Sequence, residues 1–344
     1  MRLSPIALAV LVCLSINLSS CLCQESDSES EQSIPSNESY PIELDHHVHI
    51  LSPQLFSKWG ELGVPFSQDQ EFYCEPEKVL ERLNCRRAVV LSMGYLFTSE
   101  WFARLDDVAA DPDKFVATEN DFVAEIVENL PEKLIGFFSI NPLSDRADEE
   151  FKRCADSGKF SGLKFHLPAC GLQFDNPEHF ELIKQTIDKC AERDLVVLIH
   201  LDGFQGEFGE TESLKFWSEI CQPHEDLKMI VAHLGSSGIN RRSQQLLETF
   251  HALRETDKEF SKLQIYFDLS GAVISSEIEG REPTSKEMAT VLRDLMRKIG
   301  LDRFLPATDY PVPLGDLQTE LRETLKLNEE EIESLCGNVA EFWK

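Results

Sequence analysis

Leu195-Val196-Val197-Leu198-Ile199-His200 is an unbroken apolar run that ends on an imidazole. A strand with one wet face alternates apolar and polar residues, so a short run with no polar member reads as a strand covered on both faces, the situation of a parallel sheet under helices. Seven more candidate strands, most of them continuous rather than alternating apolar runs, occupy residues 42–50, 88–93, 134–140, 162–166, 229–233, 265–270 and 303–308. Helix signals fill the gaps. Asn176 stands as an N-cap ahead of Pro177 in the first helical position, and Phe180, Ile183, Ile187 and Cys190 then recur at helical spacing. Thr284 and Glu287 fit a capping box before Met288, Val291, Leu292 and Leu295, and Gly300 supplies the backbone freedom that a helix C-terminus requires. Eight such strands alternating with helices imply right-handed crossovers and an α/β fold of the (β/α)8 TIM-barrel type, with an open doubly wound sheet as the alternative. The 51–87 connection exceeds an ordinary loop, carries one clear helix signal near 76–84, and is expected to form a flap over the barrel mouth.

The chain has 344 residues, 42% of them hydrophobic, enough for one such barrel. Lys plus Arg number 33 against 61 Asp plus Glu, and the formal charge of −28 opposes contact with phosphate backbones and anionic lipid head groups. A small-molecule substrate is therefore expected, with no nucleic-acid partner; a homo-oligomer is left open.

Residues 1–20 read as an export signal: Arg2, then an apolar run over 5–18 too short to span a bilayer, then Ser19 and Ser20. Leu18-Ser19-Ser20-Cys21 resembles the lipobox of bacterial lipoproteins, which would make Cys21 the lipidated first mature residue and the only link to a membrane. Residues 21–41 are rich in Ser, Glu and Asp and are expected to be a disordered acidic tether, leaving 42–344 as the barrel domain. The chain is thus expected to be exported, as a cell-envelope lipoprotein or a periplasmic or secreted protein. Of the ten cysteines, Cys74, Cys85, Cys154, Cys170, Cys190, Cys221 and Cys336 fall in the folded part. Their number is odd and no spacing resembles a CxxC zinc site, so buried thiols are expected, with Cys74 and Cys85 the nearest pair should a bridge form.

In a barrel, chemistry sits at the C-terminal ends of the strands. Strand one ends with Asp45-His46-His47-Val48-His49, strand four carries Lys164 and His166, strand five ends at His200, strand six at His233, and strand eight runs into Asp309. Imidazoles and a carboxylate converging from separate strands are metal-ligand chemistry. Alternation along strand one places His47 and His49 on one face and His46 and Val48 on the other.

The series Asp-x-His-x-His (45–49), Gly-Leu-Lys-Phe-His (162–166), Val-Leu-Ile-His (197–200), Val-Ala-His-Leu-Gly (231–235) and Thr-Asp-Tyr-Pro (308–311) resembles the amidohydrolase superfamily. It is most similar to the amidohydrolase-related branch of lactone hydrolases and aminocarboxymuconate-semialdehyde and resorcylate-type decarboxylases. The resemblance runs from about Ile42 to Trp343, and departs from the family at Pro306-Ala307-Thr308, where small, Gly-containing sequence is usual. It implies metal ligation by His47, His49, His200 and Asp309, catalytic roles for Asp309 and His233, and a divalent ion, zinc in the first instance. Lys164 sits where some superfamily members carry a carboxylated lysine bridging two metals. With two ions, His47, His49 and Asp309 would hold one and His200 and His233 the other. One ion per chain, the arrangement of the branch, leaves His233 for catalysis and Lys164 to hold a carboxylate or the substrate. His166 reads as a substrate contact or a hydrogen-bonded strand-end histidine. Asp268 reads as a substrate contact or as the carboxylate that orients a ligand imidazole. Asn141, Trp101 and Phe97 read as turn and packing residues.

The implied activity is hydrolysis of a lactone, amide or ester: Asp309 takes the proton of a metal-activated water, and His233 polarises the carbonyl. The alternative is metal-dependent, non-oxidative decarboxylation of an aromatic or unsaturated acid, which an arginine in the mouth (Arg86, Arg87 or Arg104) would favour. A surface-anchored binding protein without turnover is the third reading.

Overall fold

Strands β1 (Asp45–Val48), β2 (Ala88–Leu91), β3 (Leu134–Ser139), β4 (Gly162–His166), β5 (Val196–His200), β6 (Lys228–Val231), β7 (Gln264–Asp268) and β8 (Phe304–Leu305) pair in parallel in that order around one sheet. The computed structural model describes residues 39–66, 68–201, 209–277, 282–312 and 315–344. The export signal, Cys21 and most of the tether lie outside them. Backbone bonds from β1 to the segment after β8 complete the circuit: His46 N–H to the Pro306 carbonyl (3.0 Å), Asp309 N–H to the His47 carbonyl (2.8 Å) and His49 N–H to the Tyr310 carbonyl (2.7 Å). This is the (β/α)8 barrel that the apolar runs imply.

The same runs explain the two cores. Along each strand one set of side chains points outward under the helices: Val90, Phe138, Phe165, Ile199, Val231 and Phe267 pack there with Val123, Ile183, Phe250 and Leu292. The alternate set, including Leu91, Phe137, Leu198, Ile230, Tyr266 and Leu305, fills the barrel interior. β4 contributes Gly162 to that interior, because a Cβ there would collide with the Val196 carbonyl and the Phe137 ring.

Several local expectations change. The 51–87 connection holds three helices, Pro53–Glu61, Glu71–Cys74 and Pro76–Leu83, instead of one. The first is capped by Ser52, whose side chain accepts from Leu55 N–H, with Pro53 in the first position. The segment is tied to the strand ends by the Tyr310 hydroxyl, which donates to the Phe72 carbonyl. The Lys286–Ile299 helix is capped by Ser285, not Thr284, because the Thr284 hydroxyl is taken by Ile274 N–H. Asn176 and Gly300 cap as expected.

His46 does not share an outward face with Val48. The β1–β2 register shifts between Asp45 and Val48, and a bulge of that kind re-aims side chains. His46 is fully buried and stacks on Trp343 (centroids 5.5 Å), whose ring also meets Phe137 in the interior. Burial lowers its pKa to about 4. The seven cysteines of the described residues are all free, and all but Cys85 are buried. No helix among the described residues is long and apolar enough to cross a membrane.

Candidate metal centre

β1 with the residue that follows it and the segment after β8 bring three side chains onto one point. Asp309 Oδ1 lies 3.1 Å from His47 Nε2 and 3.3 Å from His49 Nε2. The ligand atoms of these three residues lie within 4.8 Å of one another, a donor set suited to a divalent metal. The fit can be tested on the other ring nitrogens. His47 Nδ1 donates to Asp268 Oδ2 at 2.8 Å and His49 Nδ1 to the Leu91 carbonyl at 3.0 Å. Carboxylate and carbonyl oxygens only accept, so both protons sit on Nδ1 and both Nε2 lone pairs face the point where an ion would sit. Burial lowers the pKa of each imidazole, and the neutral ring is the metal-binding form.

His47, His233 and Asp268 form a second close group. It is already internally satisfied. Asp268 Oδ1 accepts from His233 N–H (2.9 Å) and from the Ser270 hydroxyl (2.6 Å), while Oδ2 holds His47. The Ser270 hydroxyl has thus spent its proton, so its oxygen can only accept from His233 Nδ1 at 2.8 Å, and the Ser270 carbonyl accepts there too at 3.0 Å. His233 Nδ1 therefore carries the proton, and in the neutral ring Nε2 is bare, 3.8 Å from Asp309 Oδ2.

The backbone at these residues is held out of its ordinary range. His233, Leu234 and Asp309 have φ of 50°, 61° and 57°, and left-handed backbone at non-glycine residues persists only where the surroundings impose it. At Asp309 the constraint is Asp45, which accepts from Thr308 N–H (3.1 Å), the Thr308 hydroxyl (2.7 Å) and His47 N–H (3.1 Å). Burial pushes the Asp45 pKa up to about 7 against those bonds. Burial also acts to raise the Asp309 pKa, but the facing imidazoles of His47, His233 and His49 outweigh it and hold the carboxyl well below its ordinary range. Asp45 and Ser270 were given no role in the sequence reading. The Asp that opens Asp-x-His-x-His and the Ser two residues after Asp268 were their only signals.

His200 lies at the edge of this cluster. Its ring stacks on His166 (4.1 Å, 9° between planes) and meets His233 at 4.9 Å, and among the described residues it belongs to neither close ligand group. Lys164 is buried on the interior face of β4, with Nζ 2.9 Å from His47 Nε2, and burial draws its pKa down to about 8 against the pull of Asp309 and Asp268. Its ammonium thus addresses the same lone pair as an ion. Asn141 holds a turn through Leu143 N–H, and Trp101 and Phe97 are buried against Phe102. Arg86 pairs with Glu43 and Arg87 precedes β2, both at the N-terminal end of the strand, and Arg104 is exposed.

A family model described as amidohydrolase matches residues 45–341. The chain belongs to the amidohydrolase family. No curated protein matches it. Among solved structures, this amidohydrolase is similar to the 5-carboxyvanillate decarboxylase of Novosphingobium aromaticivorans, solved with manganese (16% identity, TM-score 0.56, covering 88% of this chain and 95% of that one). It is similar to the dihydroxybenzoic acid decarboxylase of a Polaromonas species, also with bound manganese (14% identity, TM-score 0.54, 86% and 94% covered). The 2,6-dihydroxybenzoate decarboxylase of Rhizobium is similar as well (15% identity, TM-score 0.53, 88% and 97% covered). At these identities the likeness is one of fold.

Proposed function

We propose that this amidohydrolase hydrolyses a lactone, amide or ester carbonyl, with one divalent ion, assigned as zinc, at His47, His49, His200 and Asp309. The observation that carries the reading is the split orientation of Asp309: Oδ1 faces the Nε2 atoms of His47 and His49, while Oδ2 faces His233 Nε2 at 3.8 Å. One carboxylate addresses both the ion position and the proton-transfer side. A bound ion supplies Lewis acidity, bringing the pKa of a water to about 7 and polarising a carbonyl. Asp309 Oδ2 and neutral His233 Nε2 are acceptors at the same place, and the proton of the attacking water goes there as its oxygen bonds to the acyl carbon. Once protonated, His233 is a donor: it steadies the developing oxyanion and then delivers the proton to the leaving oxygen or nitrogen as the carbon–heteroatom bond breaks. The donor role expected from sequence thus belongs to the protonated ring, and Ser270 and Asp268 set which form comes first.

Decarboxylation is the second reading, supported by the names of the similar structures and by the buried Lys164 ammonium, which suits a carboxylate. Against it, Arg86 and Arg87 lie at the opposite end of β2. The deciding experiment supplies the metal-loaded protein with lactones, esters and amides and, separately, with benzoate-like and muconate-like acids. Acid with alcohol or amine release is expected, abolished by chelation. CO₂ without hydrolysis would transfer the assignment to the decarboxylase reading, and ligand retention without any product to a binding protein. Export with lipidation at Cys21 is part of the proposal; Cys21→Ser should free the protein from membranes, and a mature chain beginning at another residue would reject the anchor.

A further inference from the structure

We propose that His166 recognises substrate, donating its Nε2–H to an anionic oxygen, a carboxylate in the first instance, on the molecule bound at this site. It rests on the proposed function only in taking this strand-end cluster as the active site.

The tautomer follows from the turn after β4. Ala169 N–H points at His166 Nδ1 at 3.2 Å, and a backbone N–H can only donate, so Nδ1 is bare and the proton of the neutral ring is on Nε2. The ring is clamped in that orientation between Tyr95 (5.1 Å, 35°) and His200 (4.1 Å, 9°). Exchanging its nitrogens would set a ring C–H against Ala169 N–H and lose the turn bond.

The Nε2–H is then available. His166 is half-buried at the mouth, in neither close ligand group, and no acceptor faces Nε2 among the described residues. Lys164 projects from the same face of β4 two residues earlier, about 7 Å along the strand. The Lys164 ammonium already reaches His47 Nε2, which leaves the His166 Nε2–H as the unpaired donor among the described residues, and the ligand that suits a donor beside a buried cation is acceptor-only: a carboxylate. The turn itself uses Nδ1 alone, a task an Asn side chain could perform, so it does not explain the imidazole.

Two substitutions separate the two nitrogens. His166→Asn keeps an acceptor near the Nδ1 position and removes the outer donor; His166→Gln keeps a donor near the Nε2 position and removes the turn acceptor. Benzoate is titrated calorimetrically into the zinc-loaded full chain, with metal content measured in parallel. We expect H166N to bind benzoate roughly 10- to 100-fold more weakly and H166Q within about threefold of the unsubstituted protein, with one ion retained in each. Unchanged binding in H166N, or weaker binding in H166Q than in H166N, would reduce His166 to a turn residue. Metal loss from both variants would make it a ligand, and failure of the unsubstituted protein to take up benzoate would reject the carboxylate subsite. Binding is read without turnover, so failure of the hydrolase assignment would show in the product assays and leave this result standing.

Discussion

Asp268 Oδ2 holds the Nδ1–H of His47 at 2.8 Å, and the other oxygen of the same carboxylate holds the backbone N–H of His233 at 2.9 Å. One buried side chain on β7 therefore sets the tautomer of His47 and the position of His233, the imidazole proposed to be catalytic. Asp268→Ala is expected to lower metal affinity roughly 10- to 100-fold, the usual effect of removing a carboxylate behind a ligand histidine. Competition of the purified variant with a chromophoric chelator measures this; unchanged affinity would show that His47 does not depend on Asp268.

His233 and His200 should respond differently to removal. His233→Ala is expected to keep its ion and lose turnover by roughly 100-fold or more, the scale of a general acid–base contribution. His200→Ala is expected to lose both ion and turnover. Elemental analysis beside a rate measurement separates them, and His200→Ala protein that retains a full ion would confine the ligands to His47, His49 and Asp309.

Lys164 tests the number of ions. Its Nζ lies 2.9 Å from His47 Nε2, where an ammonium competes with an ion for one lone pair. Lys164→Ala is expected to keep one ion per chain. Two ions per chain in the native protein, falling on this substitution, would establish a bridging lysine instead.

Glu119 gives a pH dependence away from the site. It is 1% exposed, Oε2 has no partner among the described residues, and burial raises its pKa from 4.5 to about 7 against hydrogen bonds from Ser52. The folded state holds this proton more tightly than the unfolded one. The stability that follows is fully present below pH 4.5 and is lost as pH rises through about 7, a change on the order of 3 kcal/mol. Glu119→Gln cannot ionise, so its melting temperature should gain several degrees on the unsubstituted protein between about pH 5 and about pH 8. A gap that does not change over that range would place the Glu119 titration elsewhere.

Much of the barrel was written locally. Unbroken runs such as 195–200 mark strands covered on both faces, Asn176 with Pro177 marks a helix start, and strand-end positions for His47, His49, His200, His233 and Asp309 follow from where each run stops. These are properties of neighbouring residues, and the chain carries them whatever it later packs against. What tertiary structure alone decided depends on residues far apart in sequence. The bulge that turns His46 inward exists because β1 must pair with β2 and with the segment after β8 at once. Ser285 replaces Thr284 as a cap because Ile274 claims the Thr284 hydroxyl. The form of His233 is set by Ser270 and Asp268, 37 and 35 residues away, because a proton's place on an imidazole is fixed by the acceptor it meets and not by the residues beside it in the chain.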